Sequence, residues 1–284
     1  MRTQAAVLAI WALCVSACPV LAQEGRPNRV TINYGEPSDA RHRPLLKVLQ
    51  ERDALEKMQS ILSPIRLPRP LALQTKSCDG EVNAWYESDA ITLCYEYVEW
   101  IWEVAHKAQR ALPVSGEGAL MGPFVELVVH EAGHAIFDYL KIPIMGREED
   151  AADQMAALWI LTFGQSRAAD LLAGIVNIYL DDAGYRNLRQ LRRSRLHFTR
   201  GTAQADEHST ALQRMYNVLC LAYGSDPAGF SELKDKGFLP ADRAEGCESE
   251  YAQVVHAYRT LIQPHVDAEI AQQTYGSKWP PTRR

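Results

Sequence analysis

His130-Glu131-Ala132-Gly133-His134 is the stretch on which the interpretation of this sequence depends. Two histidines four positions apart lie on one face of a helix, about one turn apart, so both imidazoles can bind a single metal ion. Glu131 follows the first histidine directly, which places its carboxylate where it can accept a proton from a metal-bound water. Flanking apolar residues have helical spacing, and Pro123 suits a first turn. The pattern predicts a metal-binding helix from about Pro123 to Leu140.

A glycine lies inside this predicted helix. Gly133 costs about 1 kcal/mol relative to alanine at an interior helical position. Such a cost is usually accepted where another element packs closely. Gly133 is therefore interpreted as a residue kept for close packing.

A catalytic zinc binds three protein side chains and keeps one position for water, so the two histidines need a third ligand. The next predicted helix, from about Arg147 to Phe163, begins with carboxylates at positions i and i+4, Glu149 and Asp153. The break at Pro143 and Gly146 gives the chain room to reverse and lay this helix beside the first. We predict that Glu149 is the third ligand and that Asp153 accepts the free N–H of a ligand histidine.

Simpler interpretations stay open at this point. The five residues also arise by chance on a buried amphipathic helix. An acidic first turn is favoured by the helix dipole alone, which accounts well for Glu148 and Asp150. It accounts less well for Asp153, because apolar residues follow it closely. The third ligand is therefore chosen among Glu148, Glu149 and Asp153, with Glu149 preferred.

H-E-x-x-H followed by E-x-x-A-D on the next helix resembles the gluzincin clan, the thermolysin-like and related zinc peptidases. From about Cys78 to Tyr258 the chain is most similar to a bacterial family of metallopeptidases identified mainly from sequence. The resemblance implies a zincin-like fold, a Zn²⁺ cofactor and a peptide or protein substrate. It also implies hydrolysis of peptide bonds by a zinc-activated water, with Glu131 as the general base.

Two further stretches add to the resemblance. Asn83-Ala84-Trp85-Tyr86 resembles the edge strand on which such enzymes hold an extended peptide, which implies that Asn83 and the Ala84 backbone bind substrate. His208 with Arg214 resembles a late His…Arg stretch of the prenyl-protein-processing zinc peptidases, which implies that the pair stabilises the oxyanion. Without the resemblance, His208 is interpreted as a helix-cap or surface residue and Arg214 as a partner of a carboxylate.

The sequence also departs from these families. His134 and Glu149 are closer in sequence than the corresponding residues of thermolysin-like enzymes. Ser209 stands where the prenyl-processing type carries a proline. These departures concern the substrate and the role of His208 more than the metal site.

The first 22 residues are typical of a signal peptide. Arg2 supplies the positive charge, Ala5 to Ala17 is mostly apolar, and residues 20–22 form a small-residue cleavage site. An apolar stretch of about 13 residues is too short to span a bilayer, so the sequence predicts an exported protein, periplasmic or secreted, without a transmembrane segment. The alternative is a bacterial lipobox, which would leave Cys18 lipidated and the protein anchored.

Cleavage after Ala22 would leave four cysteines in the mature protein: Cys78, Cys94, Cys220 and Cys247. An even number in an oxidising compartment predicts two disulfides, and closure of local loops favours Cys78–Cys94 and Cys220–Cys247 among the three pairings. A zinc site of four thiolates is the alternative, but the sequence has no C-x-x-C pair to support it.

Net charge argues against nucleic acid as a partner. The chain carries a formal charge of −5, whereas phosphate binding needs a clustered basic face. The one basic stretch, from Arg186 to Arg200, lacks interleaved aromatic residues and is interpreted as a solvated helix face.

The domain organisation is predicted as a signal peptide at residues 1–22, a loose leader at 23–44 and a single zincin-like domain at 45–284. Two strands, Val82–Tyr86 and Ile91–Cys94, are predicted to form a hairpin. Besides the two helices above, helical spacing covers Leu45–Leu62, Tyr95–Leu112, Ala168–Ala183, Asp206–Tyr223 and Ser249–Thr274, the last with a kink at Pro264. The fold class is therefore α+β, helix-dominated, with a small sheet beside the metal-binding helix.

Two other functions are compatible with these patterns. A closed site with four protein ligands would make the chain a non-catalytic zinc-binding protein, in which Glu131 is dispensable. An interaction or assembly module can also retain a peptidase fold without activity, because function depends on the site and not on the architecture.

Overall fold

A computed structural model describes residues 29–107, 112–186, 190 and 207–275. The predicted signal peptide, Cys18 and most of the basic stretch from Arg186 to Arg200 lie outside these residues.

In chain order the first half forms β1 (Val30–Tyr34), a 3-10 helix (Ala40–His42), α1 (Arg43–Glu51), α2 (Ala54–Leu62), β2 (Leu71–Lys76), β3 (Ala84–Glu87), β4 (Ala90–Cys94), α3 (Tyr95–His106) and α4 (Gly116–Leu140). The second half forms α5 (Glu148–Leu161), α6 (Gln165–Asp182), α7 (Ala211–Ser225), α8 (Ser231–Asp235), α9 (Ala241–Ala244), α10 (Cys247–Leu261), a 3-10 helix (Gln263–His265) and α11 (Ala268–Tyr275). This confirms the α+β class with helices in the majority.

The sheet has the strand order β1-β2-β4-β3. β1, β2 and β4 are parallel, and β3 pairs antiparallel with β4. The predicted hairpin is therefore confirmed, and its two turn residues, Ser88 and Asp89, both have positive φ values of 51° and 64°. Such a turn matches the twist of the flanking strands and sets their register. β3 lies at an edge of the sheet and packs against α4, which places the edge strand beside the metal-binding helix.

The prediction of a loose leader is wrong from residue 30 onward. Val30–Tyr34 forms β1, which pairs with β2 from Val30 opposite Leu71 to Tyr34 opposite Thr75. Val30, Ile32 and Tyr34 alternate with Thr31 and Asn33, the two-residue period of a strand with one buried face. The pattern is present in the sequence, but the partner strand lies about forty residues away along the chain, where no local signal marks the pairing.

Two predicted helices are each divided in the structure. The helix expected over Leu45–Leu62 is broken into α1 and α2 at Asp53, which has a left-handed backbone with a φ of 49°. Aspartate tolerates this conformation better than most residues, so the chain turns there and both helices bury their leucines. The last predicted helix is likewise divided, with a 3-10 helix at Pro264 between α10 and α11.

The metal-binding helix begins earlier than predicted. α4 starts at Gly116, because the Ser115 side chain caps it by accepting a hydrogen bond from the N–H of Gly118 at 2.8 Å. Pro123 therefore lies inside the helix rather than in its first turn. Gly122 and Gly174 let α4 and α6 approach closely, since a Cβ atom at either would lie 2.1 Å from a backbone oxygen of the other helix.

Both predicted disulfides are present in the structure. Cys78 is bonded to Cys94 and Cys220 to Cys247, with Cα–Cα distances of 5.5 Å and 5.0 Å. Because all four thiols are paired, the alternative of a zinc site built from them is wrong. Disulfides of this kind persist in oxidising compartments.

Among the described residues, no helix is both long and apolar enough to cross a membrane.

Candidate metal centre

α4 carries the two histidines on the side that faces α5. His130 Nε2 lies 3.2 Å from His134 Nε2, and a carboxylate oxygen of Glu149 lies 3.0 Å from the first and another 3.4 Å from the second. Zinc bonds of about 2.0–2.1 Å in a tetrahedron separate the bonded atoms by about 3.3–3.4 Å. The three side chains therefore lie close enough together to share one metal ion, with each histidine nearest to a different oxygen of Glu149.

Gly133 explains how α5 reaches this position. A Cβ atom at Gly133 would lie 3.2 Å from Met155 Cε and 3.3 Å from Ala152 Cβ, closer than side-chain carbons normally approach. The helices therefore pack closely at the motif, as the sequence indicates. This contact brings the first turn of α5, with its carboxylates, to the imidazoles of α4.

Carboxylates of α5 also hold the opposite nitrogens of both rings. Asp153 Oδ1 lies 2.8 Å from His130 Nδ1, the contact expected from its spacing on α5. Glu148 Oε1 lies 2.8 Å from His134 Nδ1. Partners of this kind fix the ring orientation and the tautomer, leaving each Nε2 free to bind a metal. Glu148, an alternative third ligand in the sequence, therefore contacts the far side of a histidine instead.

Glu131 lies next to these donors in a buried position, with a relative exposure of 6%. Burial raises the pKa of its carboxyl group, and the nearby imidazoles and the Tyr86 backbone only partly offset this effect. A raised pKa suits a group that must accept a proton and later release it. Because Tyr86 belongs to β3, the edge strand passes close to Glu131.

His208 lies at the open side of the donor group. Its Nε2 atom is 2.8 Å from Glu149 Oε2, and its ring stacks with that of His130 at a centroid distance of 6.2 Å. The side chain remains 44% exposed. In this position the imidazole can contact a substrate oxygen or provide a fourth metal ligand.

Arg214 lies on the opposite side of His130 from the metal donors. Its Nε and Nη2 atoms donate to the two oxygens of Asp153 at 2.8 Å and 2.6 Å, and Nη2 also lies 3.4 Å from Glu126 Oε1. The carboxylates of Asp153 and Glu126 thus hold the guanidinium on the Nδ1 side of His130. The structure thus places Arg214 against Asp153, and the oxyanion role that the resemblance implied for Arg214 stays a prediction.

The family to which the chain belongs follows from a comparison with known families. A family described as “Putative metallopeptidase” matches residues 34–262. The chain belongs to this metallopeptidase family. No curated protein and no solved structure matches it significantly. Membership assigns the chain to the metal-dependent hydrolases of peptides and leaves the metal and the substrate to be proposed from the site.

The strand that the sequence predicts to bind substrate lies at the edge of the sheet. β3 begins at Ala84, and no other described strand pairs with its outer edge. The Asn83 side chain makes local contacts: Nδ2 donates to Glu81 at 2.9 Å, and Oδ1 accepts from the N–H of Ala84 at 2.8 Å. Asn83 thus shapes the start of the strand, at the edge of the sheet where the sequence predicts an added strand.

Glu126 is a buried neighbour of the candidate metal centre that sequence reasoning missed. It is buried one turn before His130 and accepts a hydrogen bond from the Tyr179 hydroxyl at 2.7 Å. The signal was a charged residue within the most apolar helix of the sequence. Charges are rarely buried unless they are paired, so its position alone indicated a partner elsewhere in the chain.

Without a metal, the metallopeptidase site favours protons on its histidines. Burial opposes the charged imidazole of His130, but hydrogen bonds with Asp153 and Glu149 outweigh it and raise the pKa of His130 to about 10. The pKa of His134 is also raised, since its bonds to Glu149 and Glu148 outweigh its own burial. Burial likewise opposes the charged form of Glu149, yet its three histidine partners hold its pKa well below the usual range.

Metal binding must therefore displace protons. With the pKa of His130 at about 10, we expect the zinc affinity to rise at least about tenfold per pH unit between about pH 6 and pH 8. The sign follows because the protonated imidazole cannot bind a metal, so affinity falls as the pH falls. Competition with a zinc-sensitive fluorescent chelator at constant ionic strength measures this slope. An affinity that stays constant over this range would contradict the proton-for-metal exchange.

Proposed function

We propose that this protein is a zinc peptidase in which His130, His134 and Glu149 hold the metal and Glu131 acts as the general base. The observation that carries the proposal is the donor triangle of three side chains, His130, His134 and Glu149. Their closest donor atoms lie 3.0–3.4 Å apart, each histidine facing a different oxygen of Glu149, and a buried carboxylate that is not one of the three lies beside them. Two imidazoles and one carboxylate are a set of ligands typical of catalytic zinc in hydrolases.

The roles of the side chains follow from their positions. Bound zinc would polarise the scissile carbonyl and lower the pKa of water to about 7. Glu131 accepts the proton of the attacking water and delivers it to the leaving amine. His208, on the open side, donates to the oxygen of the carbonyl as negative charge develops there. Asp153 keeps Nε2 of His130 directed at the metal position.

The substrate would bind as an extended peptide along β3. This edge strand packs against α4, and the backbone of Tyr86 lies close to Glu131. A peptide added to the open edge gains main-chain hydrogen bonds that do not depend on its sequence, so the strand would position the scissile bond without strong selectivity.

Localisation and domain organisation are part of the same proposal. The two disulfides support action in an oxidising compartment, so we place the enzyme in the periplasm or outside the cell. Release by cleavage after Ala22 and lipid anchoring at Cys18 are the two routes that the sequence allows. The catalytic unit would be a single domain that includes β1 and so begins near Val30.

Arg69 provides a test of the proposed substrate strand. It donates to Asp89 in the hairpin turn and to Asp138 on α4, each at 2.7 Å, and Asp138 also accepts from the Tyr86 hydroxyl at 2.8 Å. We expect Arg69→Gln to raise KM about three- to tenfold with kcat and zinc content nearly unchanged. The effect is modest because solvent screens ion pairs that are this exposed.

A matched control is Arg167→Gln, which removes an exposed ion pair with Glu117 far along the chain from the hairpin. Steady-state kinetics on a cleaved reporter peptide would compare the two variants. Equal KM values for Arg69→Gln and the wild type would contradict a role of the hairpin in substrate binding.

The direct test uses the mature protein starting at Gln23. The protein is incubated with a mixed peptide library alone, with a chelator, and with zinc restored after chelation, and the products are identified by mass spectrometry. Cleavage that the chelator abolishes and zinc restores supports the peptidase. Tightly bound zinc without any cleavage supports the second candidate.

That second candidate is a non-catalytic zinc-binding protein. The observation that favours it is the 2.8 Å distance between His208 Nε2 and Glu149 Oε2, which brings a fourth protein donor to the same group. If His208 bonded to the metal, the site would be closed and no position would remain for water. Glu131 would then have no proton to accept.

A further inference from the structure

A group of buried charges lies behind His130, formed by Glu126, Asp153, Arg214 and the hydroxyl of Tyr179. Arg214 donates to both oxygens of Asp153, at 2.8 Å and 2.6 Å, and lies 3.4 Å from Glu126. Tyr179 donates to the same oxygen of Glu126 at 2.7 Å, and the Arg214 guanidinium lies over the Tyr179 ring at 5.0 Å. We call these four residues the buried charge cluster.

The cluster joins four helices at one point. Glu126 belongs to α4, Asp153 to α5, Tyr179 to α6 and Arg214 to α7. Asp153 is also the residue that lies 2.8 Å from His130 Nδ1. The position of this metal-ligand ring is therefore set by contacts from all four helices and not by its own helix alone.

The charged groups of the cluster lose their hydration when they are buried, which is unfavourable if the cluster only stabilises the fold. Glu126 and Asp153 have relative exposures of 6% and 4%, and the Arg214 side chain 19%. Taking ions out of water is unfavourable, and apolar side chains of similar volume often stabilise a fold equally well. Two carboxylates around one guanidinium carry an excess negative charge, which is favourable beside a histidine that donates electron density to a metal.

The cluster is not a second metal site. Donor atoms of Glu126, His130 and Asp153 lie within 4.8 Å of one another, which alone would be compatible with an ion. The Arg214 guanidinium, however, already lies between these carboxylates as their cation. A metal there would have to displace a buried side chain that makes three close contacts.

We propose that Glu126 and Tyr179 are positioning residues for the metal site: together they hold Arg214 so that it fixes Asp153 against Nδ1 of His130. Arg214 acts through Asp153, and Glu126 acts through Arg214. The contacts of Glu126 and Tyr179 that carry the proposal are with each other and with Arg214. The inference rests on the proposed metal site, and it adds a support on which the affinity of that site depends.

The test measures metal binding rather than activity. Cobalt(II) is titrated into the purified, metal-free full mature chain, and its visible absorption reports both the affinity and the geometry of the site. We expect Glu126→Gln to weaken binding about tenfold, the lower end of the effect found for residues that support a metal ligand, and to shift the cobalt absorption bands. Tyr179→Phe removes only the hydroxyl, and we expect a weakening of about threefold.

Tyr95→Phe is the matched control. Tyr95 is fully buried, and its hydroxyl bonds to Thr75 and Gly35, outside the metal site. We expect this variant to unfold at a lower temperature but to bind cobalt within twofold of the wild type. If the cluster only stabilised the fold, Glu126→Gln and Tyr179→Phe would behave like Tyr95→Phe. Their melting temperatures would fall, and their cobalt affinity would not change selectively.

Each outcome decides the proposal. Weaker binding with altered absorption in the Glu126 and Tyr179 variants, and not in the control, supports it. Wild-type affinity and absorption in a folded Tyr179→Phe protein and a folded Glu126→Gln protein would overturn it. If Glu126→Gln does not fold, Tyr179→Phe alone decides. A wild-type chain that binds no metal would instead refute the proposed function, and with it the inference.

Discussion

We expect Glu131→Gln to lower kcat for peptide hydrolysis by about a thousandfold while the protein still binds zinc. General-base catalysis contributes about 10²- to 10⁴-fold, and the glutamine amide cannot accept the proton of the attacking water. Zinc binding persists because the donor triangle of His130, His134 and Glu149 is complete without Glu131. Single-turnover kinetics and elemental analysis of the same preparation measure both quantities.

Glu117→Gln is the control for this substitution. It makes the same chemical change on the same helix, at an exposed residue in the first turn of α4. The control should retain wild-type turnover. Unchanged turnover in Glu131→Gln would refute the proposed mechanism, whereas loss of zinc from that variant would show that Glu131 is a ligand.

The second large effect is expected at Glu149. Glu149→Ala removes one of three ligands, and we expect zinc affinity to fall more than a hundredfold, beyond the roughly 10- to 100-fold typical of supporting residues. Hydrolysis should become undetectable at zinc concentrations that saturate the wild type. Isothermal titration with zinc, in a buffer that competes for the metal, measures the change.

Glu148→Ala is the matched variant, since Glu148 is adjacent and contacts only the far nitrogen of His134 in this site. We expect it to weaken zinc binding by no more than about tenfold. A larger loss in Glu148→Ala than in Glu149→Ala would show that the third ligand has been assigned to the wrong carboxylate.

The parts of the fold that could be predicted are those whose signals are local. The β3–β4 hairpin has its turn residues between its strands, and both disulfides close short loops. Helix α4 and the start of α5 are marked by residues at i and i+4, so the sequence alone was enough to group His130, His134, Glu149 and Asp153. Local periodicity and turn chemistry were sufficient for these elements.

The parts that could not be predicted depend on distant partners. β1 pairs with β2 across about forty residues, and Glu126 meets Arg214 across 88. The strand that pairs with β1 and the cation that pairs with Glu126 are both distant in the sequence, so neither pairing produces a local pattern. Arg214 was singled out through a resemblance, but only the packing of four helices shows that it contacts Asp153.

We propose an open zinc site with three protein ligands. Diffraction from zinc-loaded crystals on both sides of the zinc absorption edge tests this claim most directly. We expect one strong anomalous peak, about 2.0–2.2 Å from His130 Nε2, His134 Nε2 and a Glu149 oxygen, with water as the fourth ligand. A peak bonded to His208 in place of water, or located away from these residues, would contradict the claim.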